Sequence, residues 1–179
     1  MILDLLGYGA FFLSTALIFG LITLGLNLQW GLTGLFNVGI AGFVAIGAYA
    51  SAILTSPDVP DRIGGFGWPI VAGWLAAMVI AGAAAAFTGY ATLRLKADYL
   101  AITTFGVAVV VQLTALNAEV LTGGPFGVAF IPRPFAAVQD QPVLFNFANL
   151  GVVVAVTLAT FLALQRLSMF DIKRSVLDF

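Results

Sequence analysis

The chain has 179 residues, 61% hydrophobic and only 8% charged, with a net charge of −1 and a mean hydropathy of +1.10. A soluble domain is typically about 25% charged, so most of this chain is excluded from facing water and reads as an integral membrane protein. The lack of cysteine and histidine excludes disulfides, thiol nucleophiles and imidazole-based metal or acid–base chemistry, and the charge balance argues against nucleic acid, which needs clustered Lys and Arg.

A spanning helix needs about 20 mostly apolar residues. The first candidate covers 9–26, "GAFFLSTALIFGLITLGL". It is not read as a secretory leader, because Asp4 is the only early charge and the apolar run is long. A polar break, "NLQWGLTG", is expected next, at 27–34. The second span, 35–54, is rich in small residues, among them Gly39, Ala41, Gly42, Ala45, Gly47, Ala48 and Ser51. Small side chains let helices pack closely in lipid, and glycine permits kinks where neighbours satisfy the freed backbone. This span is thus a candidate for a broken or partly re-entrant, path-lining helix, with plain close packing as the alternative. Residues 55–67 carry prolines, glycines and charges and form a solvent loop. The Ala-rich third span, 68–91, reads as packing surface. A short charged hairpin, "LRLKAD" (93–98), precedes a fourth span at 99–118. A long connection, 119–147, leads to a fifth span at 148–165 and a basic, amphipathic tail, 166–179. The expected fold is an all-α integral membrane protein of about five transmembrane helices.

Orientation follows the Lys and Arg of short loops. Arg94, Lys96, Arg166, Lys173 and Arg174 fall on one side, and Arg62 and Arg133 on the other. The hairpin and tail are therefore assigned to the cytoplasm, and the N-terminus with 55–67 and 119–147 to the outside.

The polar residues within spans are the candidates for a solute path. Asn37 needs a partner or a wet surface in hydrocarbon. Thr103 and Thr104 can bond their own helix backbone; Gln112 and Asn117 border a polar conduit or bond to neighbouring helices. They sit about 500° apart around a helix and so share no narrow stripe. Paired carboxylates, a Ser/His/Asp set, a metal-ligand cluster and a "GxxxxGK[ST]" phosphate loop are all missing from the sequence. The expectation is a non-enzyme without cofactor or metal. No ionisable group lies at depth, which argues for an energy source outside the membrane region or for a passive path.

Three stretches carry a resemblance. "LGLNLQWGLTGLFNVGIAGFVAIGAYASAIL" (24–54) resembles the glycine-rich segment of branched-chain amino acid ABC permeases, and "LRLKADYLAITTFG" (93–106) and "LTGGPFGVAFIPRP" (121–134) resemble the LivM-type subunit in particular. The resemblance implies a bacterial inner-membrane permease subunit that pairs with a homologous permease. Two cytoplasmic ATPases and a periplasmic binding protein are its further implied partners, and leucine, isoleucine, valine or other neutral amino acids its substrates. Residues 119–147 would then lie where the binding protein docks. Prolines stiffen that segment, and Gly123, Gly124 and Gly127 permit turns closed to other residues. Gly123, Gly124, Pro125 and Arg133 are the candidates for an external lid or docking surface, and Asn37, Gly39, Gly42, Thr103, Thr104, Gln112 and Asn117 for the path.

The tail departs from the family's approach to its coupling loop, "R-S-P-[FW]-G-R": Met169 and Asp171 stand where Pro and Gly are expected. Residues 1–165 are thus expected to form the N-terminal half of the family's permease domain, and 166–179 a cytoplasmic tail that stops before the coupling loop. Alternatives are a truncated, non-transporting partner of a homologous permease, a passive pore, and a urea- or amide-type permease.

Overall fold

A computed structural model describes residues 2–34, 36–58, 63–92, 95 and 97–177, with side chains for all of these except 2–4, 32, 33, 97, 98 and 167–177. Every regular element among them is helical: α1 (Ile2–Thr33), α2 (Ile40–Thr55), α3 (Ile70–Thr92), α4 (Ala97–Asn117), α5 (Glu119–Thr122), two 3-10 turns (Gly124–Phe126 and Ala136–Val138) and α6 (Pro142–Leu177). Four helices contain spans long and apolar enough to cross a membrane, at Leu5–Gly31, Ile70–Thr92, Tyr99–Asn117 and Pro142–Arg166; α2 is shorter. Arg62, Arg94 and Lys96 lie outside the described residues, and the side chains of Lys173 and Arg174 lie outside them too.

The chain divides into two compact units. In the unit formed by residues 1–24 and 135–179, the first turns of α1 and α6 meet, where the Asn146 amide donates to the Gly7 carbonyl at 3.2 Å. In the unit formed by Gly25–Pro134, α2 is the hub. Gly47 lies against Ala81 and Gly73 against Thr55, so α2 and α3 run antiparallel; Gly39 lies against Thr104 and Gly42 against Ala108, so α2 and α4 run parallel.

Three expectations are corrected. The polar stretch 27–34 is no break: α1 continues to Thr33, since Asn and Gln disturb a helix far less than Gly or Pro. It stops at Gly34, whose φ of 68° and N–H donation to Trp30 (3.0 Å) make a left-handed cap. The glycine-rich span starts at Ile40, not 35, and is one unbroken helix of 16 residues. The last helix begins at Pro142, well before 148, and runs through the expected tail to Leu177; proline's fixed φ suits a first helical turn.

The loop after α2 shows why its glycines are there. Helix C-termini leave carbonyls without partners, a serious cost away from water. Here Ser56 N–H donates to Ala52, Gly65 to Ile53 and Trp68 to Leu54, at 2.9–3.0 Å. Gly64, Gly65 and Gly67 all have positive φ, and a Cβ on Gly65 would sit 2.6 Å from the Asp58 backbone. Ile63 also donates to Val120 at 2.7 Å, tying this loop to α5. The described loop residues 56–58 and 63–69 and the turn after α4 therefore share one end of this unit, opposite the end of α3 and the start of α4.

The interior is sparse. Among the described residues only Ala10, Ala52 and Leu100 are buried hydrophobics. The large apolar side chains point outward, as expected when lipid or other helices supply the apolar surroundings.

Candidate functional site: a cavity where the glycine-rich helix begins

Between Gly34 and Ile40 the described backbone is not helical, and its polar groups are met individually. The Asn37 side-chain carbonyl accepts from Gly39 N–H at 2.8 Å, and the Thr104 hydroxyl accepts from Val38 N–H at 3.2 Å while donating to Ala101 at 3.1 Å. Thr104 is only 3% exposed, and its hydroxyl, both accepting and donating, holds the coil that leads into α2. Gly39 permits the approach, because a Cβ there would lie 2.5 Å from the Thr104 carbonyl oxygen.

Beside this coil lies a cavity of about 440 Å³, within the range of small-molecule sites. Gly25 and Gln29 of α1 and Asn37 of the coil form one side. Ile40 and Phe43 of α2 and Leu100 of α4 supply apolar wall. Ala85, Thr88 and Gly89 of α3 complete it, at the i, i+3, i+4 spacing of one helix face. A second, almost wholly apolar hollow of about 310 Å³ lies between α2 and α4, near Ile46, Ile53, Val110 and Leu121.

The structure thus gathers Asn37 and Thr104 at one cavity, with Gly39 and Gly42 buried in the α2–α4 contact behind it. It does not bring Thr103, Gln112 or Asn117 there: all three are exposed on α4, and the Asn117 amide donates to its own helix at Leu113 (2.7 Å). Gly123 and Gly124 have φ of 77° and 58° and form a tight turn around Thr122. The Thr122 hydroxyl donates to Ala115 and Ala118 at 2.6 and 2.8 Å and accepts from Gly124 N–H at 3.2 Å. Pro125 opens the following 3-10 turn, and Arg133 is exposed. Arg166 is exposed on α6.

Sequence reasoning missed Gln29, Ala85, Thr88, Gly89 and Thr122. The first was assigned to a break. Ala85, Thr88 and Gly89 were assigned to packing, although "AFTGY" interrupts an alanine run with a hydroxyl and a glycine one face apart.

Long apolar helices and one short glycine-rich helix define an all-α, multi-pass membrane protein. The sequence model of the family "Branched-chain amino acid transport system / permease component" matches residues 9–169, and the chain belongs to that family. It is 41% identical over 124 residues to the high-affinity branched-chain amino acid transport system permease protein LivM of Escherichia coli (strain K12), covering 68% of this chain and 27% of that protein. It is 42% identical over 122 residues to the LivM protein of Salmonella typhimurium (strain LT2), with the same coverage. The chain spans about a quarter of the length of these curated relatives. No solved structure matches it significantly. It is a multi-pass protein of the inner membrane.

Proposed function

We propose that this chain walls part of the solute pathway of an ABC importer for branched-chain or other neutral amino acids. Its partners would be a homologous permease, two cytoplasmic ATPase subunits and a periplasmic amino-acid-binding protein. The observation that carries this reading is the family match across residues 9–169. Asn37, Gly39, Gly42 and Thr104 then shape the path, with Thr104 acting through the coil that it holds. Thr103, Gln112 and Asn117 on the exposed side of α4 would meet a neighbouring helix or the remainder of the path. Residues 1–165 serve as the membrane domain and 166–179 as a cytoplasmic segment.

The lysine and arginine count supports an inside position for Arg94, Lys96, Arg166, Lys173 and Arg174. The loop 56–69 and the turn 118–134 then face outward, whether or not the short α2 counts as a full crossing; only the side of the N-terminus depends on that. Gly123, Gly124, Pro125 and Arg133 accordingly form an external lid or docking surface for the binding protein.

The test is uptake of labelled leucine into vesicles holding the assembled complex. Uptake should need ATP and every partner, and Arg133→Ala should weaken stimulation by the binding protein. Uptake that persists without the ATPases would instead mark a passive pore.

A further inference from the structure

The hydrogen bonds around the 440 Å³ cavity leave its polar side chains with complementary roles. Asn37 spends its carbonyl on Gly39 N–H, which leaves its NH₂ as a donor. Thr88 spends its proton on the Ala84 carbonyl at 2.9 Å, which leaves its oxygen lone pairs as acceptors. Thr104 has already used its hydroxyl in both senses. Among the described residues no ionisable side chain lines the cavity, and Ile40, Phe43 and Leu100 present hydrocarbon. A donor, an acceptor and an apolar wall suit a zwitterion of zero net charge that carries an uncharged side chain. They do not suit a cationic or anionic one, whose extra charge would find no partner among these side chains.

The α3 side of the cavity is kept small. Ala85 and Gly89 lie one turn apart on the face that also presents Thr88. A Cβ added to Gly89 meets nothing within 4 Å. The space there is consequently set by the absence of a side chain and not by a close helix contact, unlike Gly39 and Gly42, whose Cβ positions are filled by α4.

We propose that this cavity is a binding site for neutral α-amino acids, with Asn37 and Thr88 as its polar contacts and Ala85 and Gly89 as the residues that set the largest side chain admitted. The proposal rests on the transport reading above and adds to it a site, a polarity and a size determinant on α3.

The chain contains no cysteine, so Ala85→Cys introduces a single thiol. In membranes holding the complete transporter, the rate at which a small uncharged maleimide modifies this chain is measured with and without amino acids. Leucine or valine at about ten times its dissociation constant leaves about a tenth of the sites empty, so modification slows about tenfold. Lysine and glutamate at the same concentration leave it unchanged. A Gly89→Leu change in the same background raises the leucine concentration needed for protection about tenfold or more, the worth of misfitting a methylene or two; protection by alanine stays as it was. The proposal is overturned by a thiol that never reacts, by protection from none of these solutes or from all alike, or by equal loss of leucine and alanine protection in Gly89→Leu. Protection by leucine without ATP-driven uptake would sustain the site and defeat the transport reading. Uptake without protection would do the reverse.

Discussion

Gly39→Ala isolates the contact on which the start of α2 depends. Gly39 has φ −81° and ψ 4°, so alanine suffers no left-handed strain there and the cost is steric. The new methyl carbon would lie 2.5 Å from the Thr104 carbonyl oxygen and 3.1 Å from the Thr104 Cβ. Restoring ordinary contact requires a retreat of roughly 1 Å. Overpacking of this kind costs about 1–3 kcal/mol. The retreat also stretches the 3.2 Å bond from Val38 N–H to the Thr104 hydroxyl, worth about 0.5–1.5 kcal/mol. The expected total is about 1.5–4.5 kcal/mol. Reversible unfolding in mixed micelles reads this directly, with Gly106→Ala as the control. A Cβ at 106 meets nothing within 4 Å, so alanine in that helix interior should be neutral or gain up to about 1 kcal/mol. The effects of Gly39→Ala and Thr104→Val should also be less than additive, since both remove the same bond. The reasoning fails if Gly39→Ala unfolds like the control, or if Thr104→Val costs as much in its presence as in the wild type.

The turn after α4 yields two more expectations. Thr122→Val removes a buried hydroxyl that serves three backbone groups and should cost about 1–3 kcal/mol in the same unfolding assay, with Thr122→Ser restoring most of it. Gly123→Ala places a methyl against the Gly127 carbonyl at a φ of 77°; the backbone alone costs about 1–2 kcal/mol, so the folded yield in membranes should fall well below that of Gly82→Ala, whose Cβ position is open.

Much of the helix plan was legible because hydropathy speaks plainly when a stretch must live in lipid: α3 and α4 begin and end within two residues of the expected spans. The boundaries that misled were those marked by polarity alone. Asn27 and Gln29 are polar yet helix-compatible, so α1 passed through them, and the true stop was the glycine at 34. The site was half visible. Asn37 and Thr104 drew notice as polar groups in a span, but their meeting depends on how closely α2 can approach α4, which the sequence encodes only as an excess of glycine. Thr88 and Gly89 stayed hidden because a threonine and a glycine in an alanine-rich helix look like packing until a neighbouring helix stops short beside them.

The helix lengths carry one consequence for the lipid. The spans of α1 and α6 have 27 and 25 residues, about 40 and 38 Å of helix. The 16 residues of α2 reach only about 24 Å, against a hydrocarbon layer of about 30 Å. No single bilayer thickness matches both classes. Longer acyl chains relieve the tilt demanded of α1 and α6 while deepening the shortfall around α2, and shorter chains do the opposite. Stability and activity should therefore peak at an intermediate acyl length and decline on both sides of it.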